Sequence, residues 1–382
     1  MHSRRSILQF LSTIPLMVTL PSGLLAAARI RVRAFRHWPD PEKTRLVFDL
    51  DAESRFETNV ERDPNHVVLT LHGAELRTTE PIDRTFPDDP RVLQLRAQQR
   101  ADAVEIHVEL TRAAELNAFH LPPNTAGRSY RIVLDIVPRL SAAEQARREA
   151  SILEVRESGD VIVGIDPGHG GEDPGTVWGR SLREKEIALE VGRLLSEQLR
   201  RHPGVRPVLT RDADYFVSLG RRPALARRYG AQLFVSLHVN AARSRAARGA
   251  EVFFLSLQGA EDKAARELVD RENAADLVGG VPPDQVDEPL VDILMDMTRN
   301  HTMKDSERLA EVLLQQLHRV SGAAIRGIKQ GPLAVLKSID VPSVLVELGF
   351  FTNTDDRKLL GNARAQKQYA EEMARGIIDF LA

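Results

Sequence analysis

Residues 29–137 contain short segments in which apolar and polar side chains alternate. The clearest are RIRVRAF, TRLVFDL, HVVLTLHG, RVLQLRAQ, AVEIHVEL and YRIVLDIV, and turn-forming residues separate them. A period of two is typical of strands that bury one face against a core. We therefore predict that residues 29–138 form a small antiparallel β-sandwich, the all-β part of the chain.

From residue 160 onward, apolar segments alternate with segments of helical periodicity. The expected strands are VIVGID, VRPVLT, AQLFVSLHVN, GAEVFFLS and SVLVELG, and the expected helices cover 184–199, 221–230, 261–278, 288–320 and 363–381. Such alternation indicates an α/β domain over 160–382, with helices flanking a mixed sheet. Residues 139–159, rich in alanine, glutamate and arginine, are expected to form a partly helical linker.

The composition agrees with two soluble domains. The chain has 382 residues, of which 42% are hydrophobic and 28% charged, as in ordinary globular proteins. Its formal net charge of -2 gives no reason to expect nucleic-acid binding. Four basic residues are expected on the solvent-exposed face of one helix: Arg221, Arg222, Arg227 and Arg228. Because the chain has no cysteine, any zinc must be bound by histidine and carboxylate.

The first 28 residues have the organisation of a signal peptide. A basic segment, MHSRRSILQF, overlaps the moderately apolar ILQFLSTIPLMVTL, and the small residues of GLLAAA place the expected cleavage after Ala28. The pair Arg4 and Arg5, after Ser3, favours export by the twin-arginine route over the general secretory route. No later apolar segment approaches the ~20 residues that span a bilayer. We therefore predict a mature chain without a membrane span.

Two histidines follow apolar segments of the α/β domain. His169 lies in VIVGIDPGHGGEDPG and His238 ends LFVSLH, so both are expected at the carboxyl ends of strands, where sites in open α/β sheets gather. Glu184, in SLREKEIAL, begins the helix that returns from the first loop. Two imidazoles and one carboxylate form a known catalytic zinc set whose fourth position is left to water. The simpler alternative is that His169 is an incidental residue of a glycine-rich turn.

A further candidate, Glu347, closes the apolar segment VPSVLVELGF. Because a carboxylate is costly to bury without a partner, we expect Glu347 to face a polar cavity and to transfer a proton to a leaving amine. The alternative is a pair with an arginine at the sheet edge. The histidines of the β domain have no metal-like spacing and are interpreted as ordinary strand and loop residues: His66, His72, His107 and His120.

Four motifs in order, GIDPGHGGEDPG, LREKEIAL, LFVSLHVNA and VPSVLVELGFFTN, resemble the zinc-dependent N-acetylmuramoyl-L-alanine amidases of the bacterial cell wall. The resemblance covers residues 161–382 and implies three zinc ligands, His169, Glu184 and His238, with Glu347 as the catalytic acid/base. It also implies hydrolysis of the amide between the lactyl group of N-acetylmuramic acid and the L-alanine of the stem peptide. Where some members have HAD, this chain has HVN, so Asn240 can supply at most a hydrogen bond or a weak ligand.

The segment LVDRENAADLVGG resembles the regulatory insertion of the periplasmic cell-division amidases, here at about 260–303. The resemblance implies that a helix covers the active site, that Glu272 occupies the substrate position on the zinc, and that a LytM-domain activator displaces it. Glu267 is the next candidate for the inhibitory residue. The alternative is an ordinary amphipathic surface helix that packs three side chains on the core: Ala274, Leu277 and Val278.

The β domain, with TRLVFDL followed by HVVLTLHGAEL, is similar to the AMIN domain, which implies a role in peptidoglycan targeting. Contact with a protein partner at the envelope is the alternative. Together these resemblances predict an exported, periplasmic enzyme of a Gram-negative type envelope that splits septal wall during cell division. Two other classes stay open: a non-catalytic wall-binding or regulatory protein, and another zinc hydrolase of the same polymer, such as a carboxypeptidase or a sugar deacetylase.

Overall fold

The computed structural model describes residues 29–61, 63–123, 129–179, 182–282, 296–337 and 340–382, with residues 296–300 described by secondary structure alone. The predicted signal peptide, residues 1–28, lies outside the described residues. The 283–295 part of the predicted regulatory insertion lies outside them as well.

The N-terminal region is all β and contains two five-stranded sheets. The first has the order β5-β1-β2-β10-β9 and the second the order β3-β4-β8-β7-β6. The strands are β1 (Ile30–Pro39), β2 (Thr44–Leu50), β3 (Phe56–Val60), β4 (His66–His72), β5 (Ala74–Leu76), β6 (Arg84–Thr85), β7 (Val92–Gln99), β8 (Ala103–Leu110), β9 (Ala114–Leu121) and β10 (Tyr130–Pro138).

Both sheets bury one face in a shared core. Phe48 and Leu134 of the first sheet and Leu69 and Ile106 of the second belong to one cluster of fully buried side chains. The alternating pattern of the sequence produces this arrangement, because every second residue of a strand points to the same face. The predicted β-sandwich is confirmed.

Most of the predicted linker is one helix, α1 (Ala142–Arg156). Ser141 and Glu144 form a reciprocal capping box at its start. The helix contacts both domains: Arg148 donates to the carbonyl oxygen of Pro41 over 2.7 Å, and the carbonyl oxygen of Glu154 accepts from Arg206 over 3.5 Å. The connection between the domains is therefore a helical spacer, with a more regular structure than the linker that its composition suggested.

The C-terminal region is an α/β domain around a six-stranded sheet of order β14-β11-β15-β18-β16-β17. Its strands are β11 (Val161–Pro167), β14 (Val205–Leu209), β15 (Leu233–Asn240), β16 (Ala250–Leu255), β17 (Ile325–Gly331) and β18 (Ser343–Phe350), and a separate two-stranded ladder joins β12 (Val177–Trp178) to β13 (Leu182–Arg183). The first four strands in that order run parallel, and β16 is antiparallel to β18. The predicted mixed sheet is confirmed.

Helices cover both faces of this sheet. They are α2 (Glu184–Leu199), α3 (Arg221–Arg228), α4 (Lys263–Asn273), α5 (Ala275–Val278), α6 (Asp296–Leu317), α7 (Thr354–Leu360) and α8 (Ala363–Leu381). Side chains of α2, α6 and α8 pack with Val163 on one face. Side chains of α3 and α4 pack with Ile162 on the other face. Within the described residues, no helix is long and apolar enough to cross a membrane.

Candidate metal centre

The parallel strands β11, β15 and β18 end at the same edge of the sheet and bring the predicted site residues together. His169 follows β11 by two residues, and His238 of β15 lies directly beside Glu347 of β18 in the strand register. Glu184 is the first residue of α2. All four side chains are buried, with Glu347 fully inaccessible to solvent. This edge therefore collects the four residues that the sequence singled out.

A tight turn sets the position of His169. Gly170 donates to the carbonyl oxygen of Asp173 over 2.9 Å, and Asp173 donates back to that of Gly170 over 3.0 Å. The turn places Oδ2 of Asp173 2.6 Å from Nδ1 of His169. Such a carboxylate fixes the ring orientation and leaves the other nitrogen free to bind a metal. Sequence analysis did not assign Asp173 this role, although a carboxylate four residues after the histidine is a visible signal.

Four atoms from four buried residues converge at one point. Oε1 of Glu184 lies 3.0 Å from Nε2 of His169 and 3.0 Å from Nδ1 of His238. Oε2 of Glu272 lies 3.2 Å and 3.1 Å from the same two nitrogens. Ligands at ~2.0 Å from a tetrahedral zinc lie ~3.3 Å from one another. The spacing and the two-imidazole, two-carboxylate chemistry therefore fit a divalent metal ion.

The charges of this cluster depend on one another. Burial lowers the pKa of the His169 imidazole, but the carboxylates of Asp173, Glu184 and Glu272 raise it well above its usual value of 6.5. Burial likewise lowers the pKa of His238, and the two neighbouring glutamates raise it to about 9. Burial raises the pKa of Glu272, yet the two imidazoles hold it well below its usual value. The imidazoles and carboxylates therefore stabilise each other's charged forms.

Glu347 has a different environment from the other carboxylates. Its two carboxyl oxygens are buried and have no hydrogen-bond partner among the described residues. Burial raises the pKa of Glu347 well above its usual value of 4.5, and the negative charges of Glu184 and Glu272 raise it further. A carboxyl group whose pKa lies above its usual range is suited to general acid–base catalysis.

Helix α4 carries Glu272 into the cluster. Its neighbour Arg271 donates to Oε1 of Glu272, to Oδ1 of Asn240 and to the carbonyl oxygen of Ala241, over 3.0, 3.0 and 3.1 Å. The other candidate, Glu267, has a 45% exposed side chain and lies 3.9 Å from Arg243. Of the two glutamates, the structure therefore brings Glu272 and not Glu267 to the site. Asn240 contributes hydrogen bonds, as expected.

The alternative of an ordinary surface helix explains part of this segment. Three apolar side chains of α4 pack on the core, namely Ala265, Leu268 and Val269. Leu277, expected to pack there under that alternative, is 45% exposed. A helix that only covered the core would have no need of the buried carboxylate of Glu272, which is 3% exposed.

Two buried arginines hold the backbone that precedes and includes His169. Arg211 donates to the carbonyl oxygens of Pro167 and Gly168 over 2.9 and 2.8 Å. Arg222 donates to those of Pro167 and His169, each over 2.8 Å. Arg222 is 2% exposed, so its expected place on a solvent-exposed helix face is wrong. The physical reason is its ion pair of 2.9 Å with Asp166, which is fully buried.

We expect Arg222→Met to lower the free energy of unfolding by ~3–5 kcal/mol, because the change leaves the buried charge of Asp166 without its partner. The measurement is urea unfolding followed by circular dichroism. The matched control is Arg227→Met on the same helix, whose side chain is 55% exposed and whose loss should cost less than ~0.5 kcal/mol. Equal stability of the two variants would contradict this account of Arg222.

Glycine at position 175 allows the side chains of His169 and Glu184 to approach the loop backbone closely. A Cβ atom there would lie 2.6 Å from Cδ2 of His169 and 2.7 Å from Oε2 of Glu184. Gly175 also has a φ of 63°, a left-handed conformation that favours glycine. The site therefore depends on the missing side chain at this position.

We expect Gly175→Ala to weaken metal binding at least ~10-fold, because the added methyl group displaces two ligands. Gly179→Ala is the matched control, since Gly179 has a nearly equal φ of 64° with no atom within 4 Å of the added Cβ. Both variants carry the strain of a left-handed alanine, and only the first disturbs the ligands. Equal metal affinities in a competition titration with a chelator would show that the close approach is unimportant.

The structure also groups three potential metal ligands on the β domain: Glu61, His66 and His107. Nδ1 of His107 lies 3.3 Å from Nε2 of His66. Their strands β8 and β4 are paired, which brings together histidines that are 41 residues apart in the sequence. The Glu61 side chain is 49% exposed, and we assign this group no metal.

Both halves of the chain match known protein families. Residues 163–379 match the N-acetylmuramoyl-L-alanine amidase family, and residues 34–136 match the AMIN domain. N-acetylmuramoyl-L-alanine amidase AmiC of Neisseria meningitidis is 30% identical over 390 residues, which cover 94% of this chain and 93% of that protein. AmiC of Escherichia coli is 30% identical over 405 residues, which cover 100% of this chain and 96% of that protein.

Among solved structures, the amidase AmiC2 of Nostoc punctiforme is similar to the C-terminal part of this chain. It is 30% identical with a TM-score of 0.44, and the alignment covers 58% of this chain and 97% of that chain. The family match extends over more than half of the chain, and the two AmiC proteins align with nearly all of it. The chain belongs to the N-acetylmuramoyl-L-alanine amidases and carries an AMIN domain at its N-terminus.

Proposed function

We propose that this chain is a zinc-dependent amidase of peptidoglycan that its own Glu272 keeps closed. The observation that carries the proposal is the convergence of two imidazoles and two carboxylates beside a buried Glu347 that has no hydrogen-bond partner among the described residues. Family membership supports the choice of bond, the amide between the lactyl group of N-acetylmuramic acid and the L-alanine of the stem peptide. The metal set alone would serve other hydrolases equally well.

Three side chains would hold the metal ion: His169, Glu184 and His238. Oε1 of Glu184 lies 3.0 Å from both Nε2 of His169 and Nδ1 of His238. When bound, the ion supplies Lewis acidity that polarises the amide carbonyl and lowers the pKa of water. Asp173 fixes the His169 ring through its 2.6 Å contact with Nδ1. Two backbone hydrogen bonds hold the Glu184 carboxylate in place. Its Oε2 accepts from the backbone nitrogen of Thr176 over 2.7 Å, and its Oε1 accepts from that of Val239 over 2.9 Å.

Glu347 would move the proton of the reaction. In its ionised form the carboxylate would take a proton from the water whose oxygen bonds to the amide carbonyl carbon, and the resulting acid would deliver that proton to the nitrogen of L-alanine as the carbon–nitrogen bond breaks. Its place beside His238 in the strand register keeps it next to the ligands without making it one of them. The raised pKa of Glu347 favours retention of the proton between its removal from water and its delivery to the amine.

Glu272 would block the position that substrate must take. Its Oε2 lies between both imidazoles, and α4 is anchored there by the three hydrogen bonds of Arg271. Further along, Asp276 accepts from the backbone nitrogen of Leu219 over 2.8 Å. Arg45 of the β domain donates to the carbonyl oxygens of residues 279 and 280 over 3.2 and 3.0 Å. These contacts favour the closed arrangement in the isolated chain.

Opening would therefore require a partner that binds the covering segment or its surroundings better in the open form. Resemblance to the cell-division amidases supports a LytM-domain activator in this role. It also supports a place in the periplasm, where the AMIN domain would direct the enzyme to septal wall. The twin-arginine motif of the first residues, Arg4 and Arg5, supports the corresponding export route.

Product analysis tests the proposed bond. Purified peptidoglycan would be incubated with the zinc-loaded Glu272→Ala chain, and the soluble products identified by mass spectrometry. We expect stem peptides with a free N-terminal L-alanine and an unmodified glycan. Release of single residues from the peptide end would indicate a carboxypeptidase, and release of acetate a deacetylase. A folded, zinc-loaded chain that released nothing would instead indicate a binding or regulatory protein.

A further inference from the structure

We propose that the β domain helps to position the metal site. Arg36 and Trp38 of strand β1 hold Glu172, which acts as a positioning residue for His169. The inference rests on the metal site of the proposed function. Glu172 lies in the turn that connects Gly170 to Asp173, directly before the carboxylate that orients the His169 ring. A group that fixes Glu172 therefore acts on the proposed ligand His169 through Glu172 and its neighbour Asp173.

Glu172 is 2% exposed, although it lies in a loop and carries a charge. Its stabilising contacts come from strand β1 of the other domain. Nη1 of Arg36 donates to Oε2 of Glu172 over 2.5 Å, and the indole nitrogen of Trp38 donates to Oε1 over 2.5 Å. Asp49 accepts from the other end of the Arg36 guanidinium over 2.5 Å. Both oxygens of the carboxylate are thus held by side chains that are themselves anchored in the β-sandwich.

Trp38 also acts on the same turn through Lys185. The Nζ atom of Lys185 lies 4.6 Å from the centre of the Trp38 ring, at the distance of a cation–π contact. The same Nζ donates to the carbonyl oxygen of Gly171 over 2.9 Å and to Asp214 over 2.7 Å. Asp214 in turn accepts from the backbone nitrogen of Gly171 over 2.8 Å. Trp38 therefore restricts both residues at the centre of the turn, Gly171 and Glu172.

Loss of the contacts to Glu172 would mainly change the position of the turn around residues 170–173. The turn residues Gly170 and Asp173 are locked by reciprocal backbone hydrogen bonds, so the turn moves as one unit. A displacement of Glu172 shifts the Asp173 carboxylate and with it the His169 ring. Changes in groups that orient a metal-binding histidine typically cost 10- to 100-fold in metal affinity or activity, roughly the range expected here. The β domain would then help to position a metal ligand, besides any targeting role.

The test measures zinc affinity and turnover in the Glu272→Ala chain, with three changes added one at a time: Arg36→Ala, Trp38→Phe and Glu172→Gln. Trp38→Phe removes the indole donor and keeps an aromatic ring above Lys185, so it is the variant least able to disturb folding. The matched control is Arg33→Ala, since Arg33 lies on the same strand with a 58% exposed side chain and pairs with Asp51 at 3.4 Å. Zinc affinity comes from competition with a chromophoric chelator, and melting temperature is recorded for every variant.

We expect each of the three changes to weaken zinc binding about 10-fold or more, with Arg33→Ala unchanged. Combining Arg36→Ala with Glu172→Gln should cost little beyond either alone, because both break the same contact. Variants that melt at lower temperature but bind zinc as tightly as their parent would overturn the inference, since the contact would then be purely structural. If the parent Glu272→Ala chain itself bound no zinc, the metal site and this inference would both be wrong.

Discussion

Replacing Glu272 by alanine should raise the amidase activity of the isolated chain by about 5- to 150-fold, the effect of a coupling free energy of ~1–3 kcal/mol. The physical reason is that Oε2 of Glu272 lies 3.2 Å from Nε2 of His169 and 3.1 Å from Nδ1 of His238, the two nitrogens proposed to bind the metal, where a substrate carbonyl would have to bind. Release of dye from labelled peptidoglycan measures the rate. Zinc content, determined on the same samples, should stay at one ion per chain.

Glu267→Ala is the matched control for this change. Both glutamates belong to α4, but the Glu267 side chain is 45% exposed and pairs with Arg243 at 3.9 Å, away from the ligands. We expect its activity to equal that of the unmodified chain. Deletion of the whole segment is a less informative test, because α4 buries Ala265 and Leu268 in the core. If Glu272→Ala kept its zinc and showed no gain in activity, the autoinhibitory role would be wrong.

Replacing Glu347 by glutamine should lower turnover by ~10²–10⁴-fold, the usual contribution of general acid–base catalysis. The change is best made in the Glu272→Ala chain, so that the proposed autoinhibition does not mask the loss. Glutamine has nearly the shape of glutamate and cannot shuttle a proton, and Glu347 has no hydrogen-bond partner among the described residues that the amide would lose. The measurement is kcat with the same labelled peptidoglycan.

Metal content distinguishes this loss from damage to the site. Glu347→Gln should retain its zinc, because Glu347 lies beside the ligands and is not among the four convergent residues. His169→Ala should lose both zinc and activity, because it removes a ligand atom. Normal turnover by Glu347→Gln would mean that another group carries the proton.

The sequence predicts much of the fold, because local patterns determine it. Alternating or continuous apolar residues predicted most of the longer strands of both domains but not β9 or β17. Two helices were predicted with the bounds that the structure has, 184–199 and 363–381. In the second of these, Asn362 caps the first turn by accepting from the backbone nitrogens of Arg364 and Ala365. The regular α1 was less evident, since only Ile152 of that helix is buried.

Four site residues could be proposed from sequence because His169 follows an apolar strand, His238 and Glu347 lie near the ends of two others, and Glu184 begins a helix. Their supporting groups could not, since these depend on contacts between distant parts of the chain. Arg222 pairs with Asp166 at a separation of 56 residues, and Arg36 meets Glu172 at a separation of 136 residues. No periodicity or motif carries such information. For this reason the Arg222 side chain was expected to be exposed, whereas in the fold it forms a buried ion pair.

The most direct test of the account is a crystal structure of the zinc-loaded chain, with anomalous diffraction recorded at the zinc absorption edge. We expect one peak among Nε2 of His169, Nδ1 of His238, Oε1 of Glu184 and Oε2 of Glu272. In Glu272→Ala the peak should stay in place with solvent in the position of the lost carboxylate. A zinc ion elsewhere in the chain would contradict the proposed metal centre, and one bound by the first three residues without Glu272 would contradict autoinhibition.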